Sequence, residues 1–176
     1  TVKDASGNTA TATQTVTVVD NIDPTITAPA NVTATTNSGC TATGITLGTP
    51  TTSDNCTVAS VTNNHATTTY PLGTTTVTWT VTDGSGRTAT ATQTVTVVDN
   101  INPTIIAPAD VTATTNAGCT ATGVVLGTPA ASYNCTLAAV TNTNSPTTFP
   151  LGTTPETCTQ NDTTEHTTNT NQTKTS

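Results

Sequence analysis

A repeat of 79 residues runs through this chain and restricts its fold more than any other feature. Residues 20–25 recur as residues 99–104, and residues 1–20 recur nearly unchanged as residues 80–99. A module of this length is large enough to be a small domain with its own core. We therefore expect an array of like modules, as in fibres, stalks and adhesins.

The repeat divides the chain into four segments. Residues 1–20 correspond to the C-terminal strand of a preceding repeat, residues 21–98 to a first repeat and residues 99–154 to an incomplete second repeat. Residues 155–176 form a divergent, threonine-rich tail. Because the chain begins in the middle of a repeat, we expect it to be a processed or partial segment.

Composition favours β structure over helix or disorder. Charged residues make up 7% of the chain and aromatic residues 2%, whereas threonine makes up about a third. Valine, isoleucine and threonine are β-branched and suit a pleated, half-buried surface, which disordered segments lack. We therefore predict an all-β fold.

The charge distribution excludes one class of partner. The formal net charge is -7, and the basic residues are limited to Lys3, Arg87 and Lys174. No cationic surface exists to neutralise phosphates, so nucleic acid is not an expected partner. No apolar run approaches the roughly 20 residues that a membrane span requires.

Alternation of apolar residues and threonine predicts a long hairpin. Val77, Trp79 and Val81 alternate with threonines from Thr74 to Asp83, and a similar alternation follows the glycine turn at residues 84–86. Trp79 and Tyr70 are expected to lie in the core. Shorter strands are predicted at Thr25 to Ala28, Val32 to Thr36, Thr41 to Leu47, Val58 to Thr62 and Thr68 to Tyr70. Six or seven short strands per repeat are typical of an immunoglobulin-like β-sandwich, and the short proline-containing link predicts sandwiches arranged end to end in a stiff rod.

The cysteines predict an oxidising environment. Cys40 and Cys56 are 16 residues apart, as are Cys119 and Cys135, and neither pair has the close spacing of zinc ligands. We expect one disulfide within each repeat, worth roughly 3 kcal/mol for a loop of this size. Disulfides indicate an extracellular location. Cys158 belongs to neither of these predicted pairs.

Several motifs together resemble the hyalin repeat (HYR) family. The resemblance covers residues 1 to about 154 and is carried by the Asp-x-x-x-Pro opening at Asp20, by Ser53-Asp54-Asn55-Cys56, by residues 70–79 and by residues 82–89. It implies immunoglobulin-like domains in tandem on extracellular proteins linked to adhesion. It implies no catalytic residues, and His65 and His166 have no nucleophile or paired carboxylate in register.

The tail differs from the hairpin that it should repeat. Val77 corresponds to Glu156, Trp79 to Cys158, Val81 to Gln160, Val95 to Lys174 and Val97 to Ser176. Burying the two charged residues without partners would cost several kcal/mol each, so we expect that the tail does not replace the hairpin.

Two functions follow. In the first, residues 1–20 complete the second repeat of a neighbouring identical chain and build a head-to-tail filament. In the second, the chain is a passive spacer in the stalk of a large adhesin, whose surface or carbohydrate ligands bind to other domains.

Six oxygen-bearing side chains near the repeat junctions predict a calcium site. They are Asp20, Asn21, Asp23, Asp54, Asp83 and Asp99. The alternative is that these residues form turns by bonding their own backbone. No other cofactor is expected.

Five sequons predict N-linked glycans, which would solubilise a surface with few charges. The acceptor residues are Asn31, Asn55, Asn134, Asn161 and Asn171. The outward threonines offer O-linked attachment, or they reflect only the high strand propensity of threonine.

Overall fold

The computed structural model describes residues 1–116, 118–142, 148–162 and 166–175, and within them the fold is all-β. The described residues contain no helix, and so none that could cross a membrane. The chain divides into two compact units. The first contains Thr1–Ala28, Thr49–Asn64 and Thr78–Thr92, and the second contains Pro29–Gly48, His65–Val77 and Gln93–Ser176.

Ten strands lie in the first 98 residues. They are β1 (Val2–Lys3), β2 (Thr9–Ala10), β3 (Thr25–Thr27), β4 (Val32–Thr35), β5 (Thr41–Ala42), β6 (Thr51–Ser53), β7 (Val58–Asn63), β8 (Tyr70–Pro71), β9 (Gly73–Asp83) and β10 (Thr88–Val98).

Eight further strands follow. They are β11 (Thr104–Ile106), β12 (Val111–Thr112), β13 (Thr120–Thr122), β14 (Ala130–Ser132), β15 (Leu137–Asn142), β16 (Thr148–Pro150), β17 (Thr153–Asp162) and β18 (Thr167–Thr175).

The first repeat has a four-stranded sheet in the order β4-β10-β9-β7 and two strand pairs, β3-β6 and β5-β8. The predicted long hairpin is confirmed as β9 and β10, whose apolar face is buried because alternate side chains point to one side of a strand. Its buried residues are Val77, Trp79, Val81, Val95 and Val97, and Tyr70 on β8 is buried too. Strand β4 pairs with β10 in parallel, with Val32 opposite Val95.

The second repeat has the same topology, and this corrects one prediction. Its four-stranded sheet has the order β12-β18-β17-β15, with the pairs β11-β14 and β13-β16. The sequence predicts that residues 155–176 do not replace the hairpin. Instead they form most of β17 and β18, which pair antiparallel from Thr153 opposite Thr175 to Asn161 opposite Thr167.

The tail forms this hairpin because its threonines keep the alternation of a strand. Thr157 and Thr159 are half-buried, while Glu156, Cys158 and Gln160 point inward and are fully buried. Neither carboxylate oxygen of Glu156 has a hydrogen-bond partner among the described residues. The expected cost of burial is therefore present at Glu156, but it does not prevent the strands from pairing. The side chain of Lys174 and all of Ser176 lie outside the described residues.

Residues 1–20 are exposed apart from Asp20. Strands β1 and β2 form a small hairpin, in which the Asp4 carboxylate accepts hydrogen bonds from the backbone and side-chain nitrogens of Asn8, both 2.8 Å long. Residues 11–20, all of them described, belong to no strand. Val16 is 77% exposed and Val18 is 91% exposed, whereas the equivalent Val95 and Val97 are buried.

Candidate repeat junction and cation site

Three of the predicted calcium ligands lie together. Asp20 follows the exposed N-terminal segment, Asp54 follows β6, and Asp83 ends β9. One ligand oxygen from each of the three carboxylates lies within 4.8 Å of the other two. Asp83 is 2% exposed, and the other two residues are half-buried.

Two of these carboxylates use one oxygen to hold their own loops. Asp83 Oδ1 accepts hydrogen bonds from the backbone nitrogens of Ser85 (2.8 Å) and Arg87 (2.7 Å). Asp54 Oδ2 accepts from the backbone nitrogen of Cys56 at 3.0 Å. These are the turn-forming bonds that the alternative interpretation expects.

Hydrogen bonds also keep Asp20 charged. Asp20 Oδ1 accepts from the backbone nitrogen of Ile22 at 3.1 Å and from Asn55 Nδ2 at 3.2 Å. The bond from Ile22, followed by the bond from Asn55, lowers the pKa of Asp20 below its ordinary value. The carboxylate is ionised at neutral pH, as a calcium ligand must be.

The second oxygen of each carboxylate has no such role. Asp20 Oδ2, Asp54 Oδ1 and Asp83 Oδ2 are buried and have no hydrogen-bond partner in the part of the chain that the structure describes. A buried carboxylate oxygen without a partner is costly, and it is a suitable ligand for a hard cation. The turn-forming role and a cation site are therefore compatible in the same three residues.

The other three predicted ligands have different roles. Asp23 forms an ion pair with Arg87 at 2.6 Å, and both side chains are substantially exposed. Asn21 is exposed on a cleft of about 520 Å³ beside Asp20, Asn55 and Cys56. Asp99 lies 79 positions after Asp20 and belongs to the second junction.

Asp99 connects the two repeats. Its carboxylate accepts hydrogen bonds from Thr36 Oγ1 of the first repeat (3.0 Å) and from Asn134 Nδ2 of the second (2.9 and 3.0 Å). The backbone nitrogen of Ile101 donates a further bond of 3.0 Å. All four residues lie in the second compact unit. Burial alone would raise the pKa of Asp99, but these bonds together hold it below its ordinary value.

The second junction differs from the acidic cluster of the first. Tyr133 stands where Asp54 would be, and Asp162 stands at the position of Asp83. Asp162 Oδ2 lies 3.0 Å from His166 Nδ1. His166 therefore has a paired carboxylate, which the sequence did not indicate. Among the described residues, the three-carboxylate group is confined to Asp20, Asp54 and Asp83.

The cysteines are not arranged as predicted. All five, each within the described residues, are free thiols, so the structure contains neither the Cys40–Cys56 nor the Cys119–Cys135 disulfide. The thiol of Cys135 donates a hydrogen bond to the carbonyl oxygen of Gly39 at 3.6 Å and contacts the side chain of Cys40. The sequence offered one signal for this contact. Each repeat carries a cysteine pair, so a cysteine of one repeat can also pair with a cysteine of the next.

Two predicted glycan acceptors hold junction contacts. The side-chain nitrogen of Asn134 binds Asp99, and that of Asn55 binds Asp20. A glycan on either nitrogen would compete with these bonds. Asn31 and Asn171 are exposed and Asn161 is half-buried, and glycosylation of these three residues stays a prediction.

No curated protein matches the chain. Residues 19–97 match the family described as the HYR domain, which confirms the hyalin-repeat resemblance for this part of the chain.

Proposed function

We propose that the chain is a structural segment of an extracellular adhesive array, in which successive repeats dock through the Asp99 junction. The HYR domain is an adhesion-related extracellular module of non-enzymatic type. The observation that carries the proposal is the Asp99 carboxylate, which binds Thr36 of one repeat and Asn134 of the next.

Buried hydrogen bonds at this junction support a defined geometry. Thr36 is 4% exposed and Asp99 is 8% exposed, so water does not compete freely for their bond. The link itself is anchored, because Pro103 is buried and its carbonyl oxygen accepts a 2.6 Å bond from Thr168 Oγ1. A fixed junction turns a chain of small domains into a spacer of defined length.

Small-angle X-ray scattering of the whole chain tests this proposal. Asp99→Ala should broaden the distribution of interatomic distances, because it removes the bonds to Thr36 and Asn134. Asp110→Ala is the matched control, since the Asp110 carboxylate binds Thr173 within the second repeat. Identical scattering from wild type and Asp99→Ala would contradict the proposal.

We further propose that calcium binds at Asp20, Asp54 and Asp83 and rigidifies the upstream junction. The three buried oxygens without partners among the described residues supply ligands, and nearby backbone carbonyls and water would supply the rest of the six to eight that calcium requires. Asp20 lies at the junction position that Asp99 occupies in the second repeat, so a cation there would hold a junction together.

Calorimetric titration of calcium into the full chain tests the site. We expect one site with a dissociation constant of roughly 10⁻⁴ to 10⁻³ M, as in other extracellular modules. Asp54→Asn should weaken binding at least tenfold, whereas Asp110→Asn should leave it unchanged. Equal binding to wild type and Asp54→Asn would exclude the site.

One observation favours assembly by strand exchange as a second function. Residues 11–20 present exposed Val16 and Val18, whereas the equivalent Val95 and Val97 of the first repeat are buried. In the register of the repeat, a copy of residues 1–20 from another chain would place these two valines at the positions of Lys174 and Ser176. This exchange would bury the two valines and link chains head to tail.

Sedimentation analysis over a range of concentrations separates the two functions. Strand exchange predicts oligomers that disappear when Val16 and Val18 are both replaced by lysine. A passive spacer predicts a monomer with or without these substitutions. Replacement of Thr11 and Thr13 by lysine is a control of equal charge in the same segment.

A further inference from the structure

Two cysteine-containing loops from different repeats meet at the second junction. The loop at Gly39 and Cys40 follows β4, and the loop at Asn134 and Cys135 follows β14. The Cys135 thiol binds the Gly39 carbonyl oxygen at 3.6 Å, and its side chain contacts that of Cys40. A Cβ atom on Gly39 would lie 3.6 Å from the Asn134 carbonyl oxygen, so the two backbones are also close.

We propose that Cys40 and Cys135 form a disulfide that joins the first repeat to the second. The inference rests on the proposed docking of repeats through Asp99. The reaction is thiol–disulfide exchange with a small-molecule disulfide such as oxidised glutathione. The thiolate of one cysteine displaces one glutathione, and the second cysteine then displaces the other. The products are one protein disulfide and two reduced glutathione molecules, so each cysteine loses one proton and one electron.

The surroundings of Cys135 support a close pair of thiols. Burial, the hydrogen bond with Cys40 and the neighbouring Asp99 raise the pKa of Cys135 to about 12. The Cys135 thiol is therefore protonated at neutral pH and can act as the hydrogen-bond donor to Gly39. Asp99 also draws the two loops together, since it binds Thr36 just before Gly39 and Asn134 just before Cys135.

Because the cysteine positions repeat, the same disulfide could form between each pair of successive repeats along the array. Cys56 occupies the position of Cys135 in the first repeat, and Cys119 occupies the position of Cys40 in the second. Both are exposed. Cys56 lies on the 520 Å³ cleft beside Asp20, where the loop of a preceding repeat would dock. Each repeat thus offers one cysteine to the repeat before it and one to the repeat after it.

Tryptic cleavage distinguishes this pairing from disulfides within each repeat. The chain has three basic residues, and Arg87 is the one that separates the two cysteine pairs. The full chain is oxidised with glutathione at low concentration, its free thiols are alkylated, and it is then denatured and cleaved. A Cys40–Cys135 bond keeps residues 4–87 joined to residues 88–174 until a reductant is added. Bonds within each repeat leave two separate fragments and would overturn the proposal.

Cysteine variants identify the linked pair. Cys40→Ser and Cys135→Ser should each release the two fragments without reductant, whereas Cys56→Ser and Cys158→Ser should leave them joined. Linkage that survives Cys40→Ser, or free thiols at all positions after oxidation, would also overturn the proposal. The result is separable from the proposed docking, because the Asp99→Ala scattering experiment is carried out with a reductant present and so tests docking without any disulfide.

Discussion

At the scale of single residues, Glu156 opposes the fold that surrounds it. It stands at the position of Val77, is fully buried and has no partner among the described residues for either carboxylate oxygen. On β18 its cross-strand neighbour is Gln172, whose Oε1 lacks a partner in the same part of the chain. Glu156 and Gln172 are therefore inward-facing cross-strand neighbours that form no hydrogen bond with each other.

We expect Glu156→Val to raise the free energy of unfolding by about 2 kcal/mol, because it removes a buried, unpaired carboxylate. Urea denaturation at neutral pH measures the change. Glu156→Gln, which keeps the shape and loses the charge, should give part of the gain. The reciprocal change Val77→Glu should destabilise the first repeat. A loss of stability in Glu156→Val would show that this carboxylate has a stabilising partner in solution.

We predict that acid weakens the junction at Asp99. Its pKa in the folded chain lies below the ordinary value of 3.8, so the unfolded chain binds a proton at higher pH than the folded chain does. The stabilisation is complete above the unfolded pKa and is lost as pH falls through the folded pKa. Asp99→Asn should cost about 2 kcal/mol near neutrality and remove this contribution to the pH dependence. Denaturation of both proteins between about pH 6 and pH 2 tests this expectation.

At the scale of strands, a buried glutamine anchors each central hairpin. Gln93 on β10 is fully buried, and its Nε2 donates to the carbonyl oxygens of Ala30 (2.6 Å) and Leu47 (2.9 Å). Gln172 takes the same position on β18 and donates to Ala109 at 2.7 Å. The glutamine therefore ties a central strand to the loops that pass beside it.

Gln93→Leu should lower the free energy of unfolding by about 2 kcal/mol, because two carbonyl oxygens lose their side-chain donor. Chemical denaturation measures the loss. Thr92→Ala, on the exposed part of the same strand, should change stability by less than about 0.5 kcal/mol. A neutral Gln93→Leu would indicate that water replaces the amide.

Strand lengths show how far alternation predicts an element. The strand predicted from Thr74 to Asp83 agrees with β9 to within one residue at each end, and the alternation after the glycine turn agrees with β10, because alternation over so many residues is unambiguous. The strand expected from Thr41 to Leu47 ends at Ala42 instead. Gly44 adopts a φ of 76°, which is the left-handed region, so the chain turns there. The strand Thr51–Ser53 was missed, since three polar residues carry no pattern.

At the scale of the whole molecule, oxidation should change stability if the Cys40–Cys135 bond forms. Closing a loop of roughly 100 residues is worth about 4.7 kcal/mol in the chain-entropy model. The oxidised chain should therefore unfold at higher temperature than the reduced chain, and Cys135→Ser should abolish this difference. Calorimetry under both conditions measures it. An equal gain in Cys135→Ser would assign the effect to another disulfide.

Local alternation and self-similarity were enough to predict the all-β class, the repeat and the inward face of the long hairpin, since each is visible in the order of residues along the chain. The tertiary structure decided which distant residues meet. It selects Asp20, Asp54 and Asp83 from the six predicted calcium ligands, places Cys135 beside Cys40 and closes the second repeat with its own tail. Such contacts depend on how the sheets position loops that are far apart in the sequence. The number of residues between two loops does not determine how far apart they lie in space.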